Sequence, residues 1–358
     1  MTVDLASRIG QLLVVGFDGQ TAPDELLARI RRSEVGGVIL FSRNLGTVEE
    51  VAALTRELRG AAPRGAPLLV SIDQEGGRVQ RLKAPVPEWP PMRRVAGLAD
   101  EALTEAVGHG VGRDLHAVGF NLDFAPVLDV VSSEANTVIG DRAFGSTPDE
   151  VVTHALAFAR GLERAGVLSC GKHFPGHGGE VADSHHALPV ERRGAEALRA
   201  IDLVPFREAA RADLPMLMTA HVVYEALDPQ TTGTFSRRVS TELLREELGY
   251  RGVLVSDDLE MAAAADQYEA GEAAVLALAA GVDQLLLCHR RDRQQAAFEA
   301  LVRRGQDDPR FAARLEEAAE RVARLKARLA PPTRLSPEAA GAEVRASGRH
   351  AELLARLR

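Results

Sequence analysis

The chain has 358 residues, 46% of them hydrophobic, so it can bury a large core as one α/β domain or two smaller ones. Fifty-one acidic side chains against 43 basic ones give a formal charge of −8, which argues against a nucleic-acid-binding surface. The N-terminus lacks the pattern of a signal peptide, the apolar run 12–17 is too short to span a bilayer, and both cysteines lie in apolar runs. These features predict a soluble, cytoplasmic protein without a disulfide that binds neither nucleic acid nor membrane.

Short apolar runs alternate along the chain with longer segments of helical composition. Eight runs are predicted to be strands: residues 11–17, 36–41, 67–73, 121–130, 168–174, 215–222, 252–257 and 283–288. Most of the intervening segments are rich in Ala, Leu, Glu and Arg at helical spacing, as in 149–165 and 194–212. This alternation favours an α/β fold of the TIM type, a (β/α)8 barrel. The alternative is a doubly wound open sheet, but residues 16–19 do not supply a dinucleotide-binding fingerprint.

Four glycines lie just before predicted strands, where a helix should end and the chain should re-enter the sheet. They are Gly36, Gly119, Gly166 and Gly281. Glycine adopts the left-handed backbone conformation that ends many helices, so we predict a C-cap at each of these positions.

Polar side chains gather at the predicted strand ends. They are Asp73 on the third strand, Asp123 and Asp129 on the fourth, Lys172 and His173 on the fifth, His221 on the sixth, and Asp257 and Asp258 on the seventh. A single charged residue at such a place is more often a helix cap or part of an ion pair. Convergence from five strands instead predicts the floor of a site for a polar ligand rich in hydroxyl groups, because barrel enzymes place their functional residues at the carboxyl ends of strands.

Two of these strand ends belong to longer motifs. Residues 172–178, Lys-His-Phe-Pro-Gly-His-Gly, are punctuated by Pro and Gly and are predicted to form a loop around a polar site, with Asp183-Ser184-His185 shortly after. Residues 256–259, Ser-Asp-Asp-Leu, follow the apolar run 252–255, so the first Asp emerges from a buried strand.

Together with residues 73–81 and 140–145, these motifs resemble those of the bacterial β-N-acetylhexosaminidases of glycoside hydrolase family 3 over about residues 5–330. Each motif alone is moderately specific, whereas all four in this order are strongly specific. The resemblance implies a barrel enzyme that removes a terminal β-linked N-acetylglucosamine with retention of configuration and without a cofactor or metal. In cytoplasmic members, the partner is an N-acetylglucosamine-containing oligosaccharide or muropeptide from recycled cell wall.

The resemblance also implies roles for individual residues. Asp257 becomes the nucleophile, His185 the general acid/base, and Asp183 the electrostatic partner of His185. The sugar-binding set consists of Asp73, Arg81, Arg142, Lys172 and His173. These chemical types agree with retaining hydrolysis, which needs a carboxylate to attack the anomeric carbon and a second group to protonate the leaving oxygen and then activate water. Histidine suits the second task because its reference pKa lies near neutrality.

Three other readings stay open at this point. His173, His177, His185 and His221 with nearby aspartates could bind a catalytic metal, although their spacing fits a metal site poorly. A non-catalytic sugar-binding module would not need both reaction partners. A phosphorylase, in which phosphate attacks the glycosyl-enzyme, is the nearest competitor.

The domain organisation follows from the same resemblance. The barrel is expected to occupy residues 1–330, and residues 331–358 a linker followed by a terminal helix or tail, without the second α/β sandwich domain of the β-glucosidase-type members. Glu260 stands where small polar residues are more familiar in the family. Nothing in the sequence identifies a protein partner.

Overall fold

The computed structural model describes residues 5–133, 135–179, 188–346 and 350–357. Eight parallel strands close into a barrel in chain order, which confirms the predicted TIM-type fold. The strands are β1 (Leu13–Val15), β2 (Gly37–Ile39), β3 (Leu69–Ile72), β4 (Leu122–Asp123), β5 (Leu168–Phe174), β6 (Met216–Thr219), β7 (Val253–Asp258) and β8 (Gln284–Leu287). Their apolar side chains are buried in one continuous core with the surrounding helices.

Helices follow most strands and cover the outside of the barrel. Their bounds are Leu5–Gly10, Asp24–Arg31, Val48–Ala61, Met92–Ala96, Glu101–Ala117, Pro148–Arg164, Ala195–Ala200, Leu203–Arg211, Arg238–Glu247, Ala262–Ala265, Ala270–Ala280, Arg291–Asp307, Pro309–Ala327, Pro337–Arg345 and Ala351–Arg356. Short strands outside the barrel are Gln74–Gly76 with Val79–Gln80, and Val190–Glu191 with Val223–Tyr224 and Asp228–Thr232. Within the described part of the chain, no helix combines the length and apolar character needed to cross a membrane.

Local sequence signals explain where two of the long helices begin. The side chains of Thr47 and Thr147 each accept a hydrogen bond from the backbone N–H three residues later, and the backbone N–H of each threonine donates to the carboxylate of Glu50 or Glu150. Such capping boxes satisfy N–H groups that the helix itself leaves free, and each N-cap is worth about 1 kcal/mol. The helix predicted at 149–165 is thus confirmed to within one residue at each end.

The fourth strand is shorter than predicted. The sequence suggested residues 121–130, but only Leu122 and Asp123 form regular strand pairs. Pro126 lacks a backbone N–H and cannot continue the ladder. The following segment stays in irregular contact with β5: the backbone N–H of Leu128 donates to the carbonyl of Lys172.

Two further predictions differ from the structure. The helix expected at 194–212 is broken in two, because Pro205 has no N–H to donate to the carbonyl of Ile201 and its ring would crowd that carbonyl. Gly36 is not a C-cap: the left-handed residue after the preceding helix is Ser33, and Gly36 is required because a Cβ there would meet the backbone of Gln11. The other three glycines do have positive φ angles.

Strands β5 and β7 each contain an extra residue near their carboxyl ends. The register between β5 and β6 shifts between Lys172 and Phe174, which makes His173 the extra residue. The register between β7 and β8 shifts between Val255 and Asp258. Of residues 172–178, which were predicted to form a loop, residues 172–174 are therefore the end of β5, and only residues 175–178 leave the sheet. Bulges redirect side chains, and both predicted motifs lie at one.

The opposite end of the barrel is closed by a buried ion cluster. The carboxylate of Asp283, at the start of β8, accepts from Arg245 at 2.6 Å, Arg314 at 2.6 Å and Arg321 at 3.0 Å. Two of these arginines lie on helix Pro309–Ala327, so the cluster fixes that helix to the barrel. The two last helices pack on the side, where His350 contacts Asp114 at 3.3 Å and the Trp89 ring at 5.1 Å.

Candidate active site

A cleft of about 580 Å³ opens at the carboxyl ends of the barrel strands. It brings together the six predicted site residues that lie in the described part of the chain: Asp73, Arg81, Arg142, Lys172, His173 and Asp257. These residues are up to 184 positions apart in sequence. The other two, Asp183 and His185, lie outside the described residues, so their roles stay predictions.

An ion network forms one side of the cleft. Lys172 Nζ lies 2.8 Å from Asp73 Oδ1 and 2.6 Å from Glu75 Oε1, and Arg142 grips Glu75 with two hydrogen bonds of 2.8 Å. Burial alone would raise the pKa of Glu75, but Arg142 and Lys172 hold it far below its ordinary value. Burial would likewise lower the pKa of Lys172, but Asp73 and Glu75 raise it. Glu75 and Lys172 are therefore both charged at neutral pH, and Glu75 is the structural partner of the two cations Lys172 and Arg142.

A tight turn after β3 carries Arg81 back to this network. Gly76 and Gly77 have φ angles of 94° and 57°, a conformation that favours glycine, and they reverse the chain between the short strands. Gln74 secures the return, since its Oε1 accepts the backbone N–H of Arg81 at 2.9 Å. Arg81 Nη2 then lies 3.7 Å from Asp73 Oδ2 at the edge of the cleft.

His173 is held by a buried carboxylate below it. Asp129 Oδ2 lies 2.7 Å from His173 Nδ1, and its Oδ1 accepts the backbone N–H groups of His173 at 3.1 Å and His177 at 2.7 Å. Burial opposes ionisation of Asp129, but His173 lowers its pKa. This pairing fixes the imidazole ring and leaves Nε2 as its remaining polar atom for a ligand.

Asp257 lies on the bulge of β7 and lines the cleft. Its backbone N–H donates to Thr219 Oγ1 at 3.3 Å, and its own Oδ1 accepts the N–H of Asp258 at 2.8 Å. Burial would raise the pKa of Asp257, but His221 and His173 lower it, so the carboxylate stays ionised. An ionised carboxylate on a rigid strand end has the chemistry of a nucleophile.

The neighbouring polar residues have supporting positions. Asp258 Oδ1 accepts the backbone N–H groups of Glu260 at 3.1 Å and Cys288 at 3.2 Å. His221 does not line the cleft: it is buried behind it, with Nε2 3.0 Å from the Asp258 carbonyl and Nδ1 2.8 Å from Thr234 Oγ1. The sixth strand therefore contributes support and no polar contact surface.

Sequence reasoning missed one wall of the cleft. His289 follows β8, lies 3.4 Å from Asp258 Oδ2 and stacks on Phe41 with ring centroids 5.8 Å apart. The hydrogen bond to Asp258 raises the pKa of His289. Glu260 accepts the N–H groups of His289 at 2.6 Å and Arg290 at 3.0 Å, which explains what this unusual residue does. The strand-end rule applied to the run 283–288 would have found His289.

The cleft can bind a hydroxyl-rich molecule. Carboxylate acceptors and cationic donors alternate along the ion network, and an ionised carboxylate stands opposite, beside the apolar side chains of Met218, Met261 and Leu286. Within the described ranges, no three His, Cys, Asp or Glu side chains converge as they would around a metal ion. His173 instead pairs with Asp129, and His221 contacts Thr234 and the Asp258 carbonyl.

Residues 4–325 match the model of the glycosyl hydrolase family 3 N terminal domain. Since this match covers most of the chain, the chain belongs to glycosyl hydrolase family 3 and is a glycoside hydrolase, as the motifs indicated. A protein from Methylococcus capsulatus named beta-hexosaminidase is 44% identical over 272 residues, which are 75% of this chain and 80% of that protein.

Two solved structures extend the comparison. A family 3 β-N-acetylglucosaminidase from Paenibacillus sp. is 39% identical with a TM-score of 0.88, over 94% of this chain. This chain spans 65% of that longer one. NagZ from Neisseria gonorrhoeae, solved in complex with N-trifluoroacetyl-D-glucosamine, is 32% identical with a TM-score of 0.74, over 94% of this chain and 97% of that one.

Proposed function

We propose that this glycoside hydrolase is a retaining exo-β-N-acetylglucosaminidase that removes terminal N-acetylglucosamine from muropeptide-type cell-wall fragments during peptidoglycan recycling. The observation that carries the proposal is the ionised Asp257 on the bulge of β7, facing the network of Asp73, Glu75, Lys172 and Arg142. Relatives named beta-hexosaminidase and the ligand of the Neisseria structure support the choice of sugar.

In the proposed mechanism, the sugar-binding set holds the terminal ring while Asp257 attacks its anomeric carbon. The bond from that carbon to the leaving oxygen breaks, and His185 protonates the oxygen. Water then attacks the glycosyl-enzyme, returns its proton to His185 and releases the Asp257 carboxylate. Asp183 orients His185 and stabilises its charged form.

Water is favoured over phosphate as the attacking group by the charge of the cleft. Among its described lining residues, four carboxylates (Asp73, Glu75, Asp257, Asp258) match four Lys and Arg side chains. Lys172 and Arg142 are already paired with the buried carboxylate of Glu75. A phosphate dianion would need surplus positive charge that these residues do not offer.

The remaining parts of the proposal concern organisation and location. Residues 1–330 form the catalytic barrel and residues 331–358 a linker and helical extension, a division supported by the last barrel helix ending at Ala327. A cytoplasmic location is supported by Cys170 and Cys288, which are both free and buried, as expected in a reducing compartment.

The assay that tests the proposal compares two aryl glycosides. The kcat/KM for chromophore release from aryl β-N-acetylglucosaminide should be at least tenfold higher than that for aryl β-glucoside, a difference of roughly 1.4 kcal/mol. The rate should be unchanged by a chelator. A preference for the glucoside would contradict the choice of sugar, and loss of activity with the chelator would revive the metal-dependent hydrolase.

Replacing His185 by alanine tests the acid/base. Substrates with poor leaving groups should lose about 10²–10⁴-fold in kcat/KM, whereas activated aryl glycosides, which depart without a proton, should lose far less in the first step. His116→Ala is the matched control, because His116 is partly exposed, does not line the cleft, and has its Nε2 3.3 Å from the Pro331 carbonyl. Equal losses for all leaving groups would remove His185 from this role.

The same preparation decides between water and phosphate. The wild type should release free N-acetylglucosamine whether or not phosphate is added. Accumulation of N-acetylglucosamine 1-phosphate would identify a phosphorylase.

A further inference from the structure

The buried carboxyl group of Asp123 lies beneath the ion network and has no role in the proposed mechanism. Asp123 is in β4, between β3 and β5, where it pairs with Ile72 on one side and Ser169 on the other. Its side chain is fully buried. Oδ1 accepts the backbone N–H of Gln74 at 2.9 Å, and Oδ2 is buried without a hydrogen-bond partner in the described part of the chain.

The surroundings of Asp123 do not compensate a negative charge. The charged groups facing it are Lys172 from β5, and Asp73 and Glu75 from the end of β3, while the thiol of Cys170 is held neutral by burial, which raises its pKa. Lys172, the cation in this group, already binds both of the other carboxylates. Burial accordingly raises the pKa of Asp123 to about 8.

Asp123 is connected to the sugar-binding set through Gln74. While Asp123 accepts the Gln74 N–H, Gln74 Oε1 accepts the N–H groups of Arg81 and Leu82, both at 2.9 Å. Gln74 Nε2 donates to the Leu82 carbonyl at 2.9 Å. The segment that carries Glu75 and Arg81 is thus attached to the barrel wall at Asp123.

We propose that Asp123 is a positioning residue, which as the neutral acid anchors the segment bearing Glu75 and Arg81, and whose ionisation disturbs the sugar-binding network. Ionised Asp123 would repel Asp73 and Glu75 and draw Lys172 away from them. Sugar affinity should therefore fall at alkaline pH without any change in the general acid. This inference deepens the proposed function and uses its sugar as the probe.

The test measures the affinity for N-acetylglucosamine by calorimetry from pH 6 to 9.5. Binding of this free sugar involves no proton transfer to a leaving group. The wild type should bind roughly tenfold more weakly at pH 9 than at pH 7, as expected if binding requires the protonated form of one group with a pKa of about 8. Asp123→Asn mimics the neutral acid, so its affinity should match the wild type at pH 7 and stay constant to pH 9. Asp123→Ala removes the acceptor for Gln74 and should bind more weakly at every pH.

Thermal unfolding supplies a second measurement that needs no ligand. The carboxyl group loses its proton near pH 4 in the unfolded chain but near pH 8 in the folded one, so the unfolded state binds fewer protons between these values. Wild-type stability from this group therefore falls as the pH rises from about 4 to 8. The Tm of Asp123→Asn relative to wild type should accordingly increase from pH 5 to pH 9.

Glu163→Gln is the control variant. Burial also raises the pKa of Glu163, but its carboxylate contacts Ser169 and Arg328, not the cleft. It should shift the stability profile and leave the affinity unchanged. An Asp123→Asn protein with the wild-type alkaline loss of affinity, or with a constant Tm difference, would overturn the inference. A wild type that binds no N-acetylglucosamine at any pH would refute the proposed function, while the Tm profiles would still decide the state of Asp123.

Discussion

Replacing Asp257 by alanine is expected to lower kcat by roughly 10⁴-fold or more while leaving the fold intact. Asp257 is held on β7 by the Thr219 hydroxyl and is kept ionised by His221 and His173, although burial opposes this. Its neighbour Asp258 cannot take over, because one carboxylate oxygen accepts two backbone N–H groups. Activity on aryl β-N-acetylglucosaminide and the circular dichroism spectrum would be measured together.

Asp258→Asn is the matched control, since it changes the adjacent carboxylate and keeps its shape. It should lose much less activity than Asp257→Ala. Added azide should partly restore turnover in Asp257→Ala, by attacking from the vacated face and forming a glycosyl azide. Comparable losses in the two variants would show that the two carboxylates are not distinguished as proposed.

Replacing Lys172 by methionine is expected to reduce both activity and stability. The substitution removes the cation shared by the half-buried Asp73 and the buried Glu75, and breaking a buried ion pair in this way costs about 3–5 kcal/mol. For a domain of this size the Tm should fall by roughly 4–7 °C. The free energy of unfolding from denaturant titration and kcat/KM would both be measured.

Lys326→Met is the control for this prediction. Lys326 is also buried, but at the other end of the barrel, where its Nζ donates to the Gly36 carbonyl at 2.7 Å and to Gln11. Burial lowers the pKa of Lys326 to about 7, so this lysine is only about half charged at neutral pH. Its replacement should leave kcat/KM unchanged. Equal effects of the two substitutions on kcat/KM would contradict a specific role for the Lys172 network.

The sequence predicted the barrel because its strand runs are apolar, short and regularly separated by helical segments. It also predicted most of the cleft, since the carboxyl ends of parallel strands meet at one face of a barrel. Two of the errors arose where proline changed the backbone. Pro126 ends β4 early and Pro205 divides a helix, and neither effect shows in the spacing of apolar residues.

The electrostatic arrangement of the site could not be derived from the sequence. Glu75 pairs with Arg142 and Lys172, and Asp123 accepts from Gln74, through contacts between residues 49 to 97 positions apart. The bulges of β5 and β7, which redirect the side chains of His173 and Asp257, likewise arise from strand pairing. Local patterns carry no information about such long-range contacts until the fold is known.

In the proposed mechanism, Asp257 forms a covalent bond to the sugar. A fluorinated N-acetylglucosaminide that forms the glycosyl-enzyme quickly and hydrolyses slowly would be incubated with the wild type, and the labelled peptide located by mass spectrometry. We expect one label per chain, on Asp257, and none in Asp257→Ala. A label on Asp258 or Asp123, or turnover with inversion and no label at all, would contradict a covalent mechanism at Asp257.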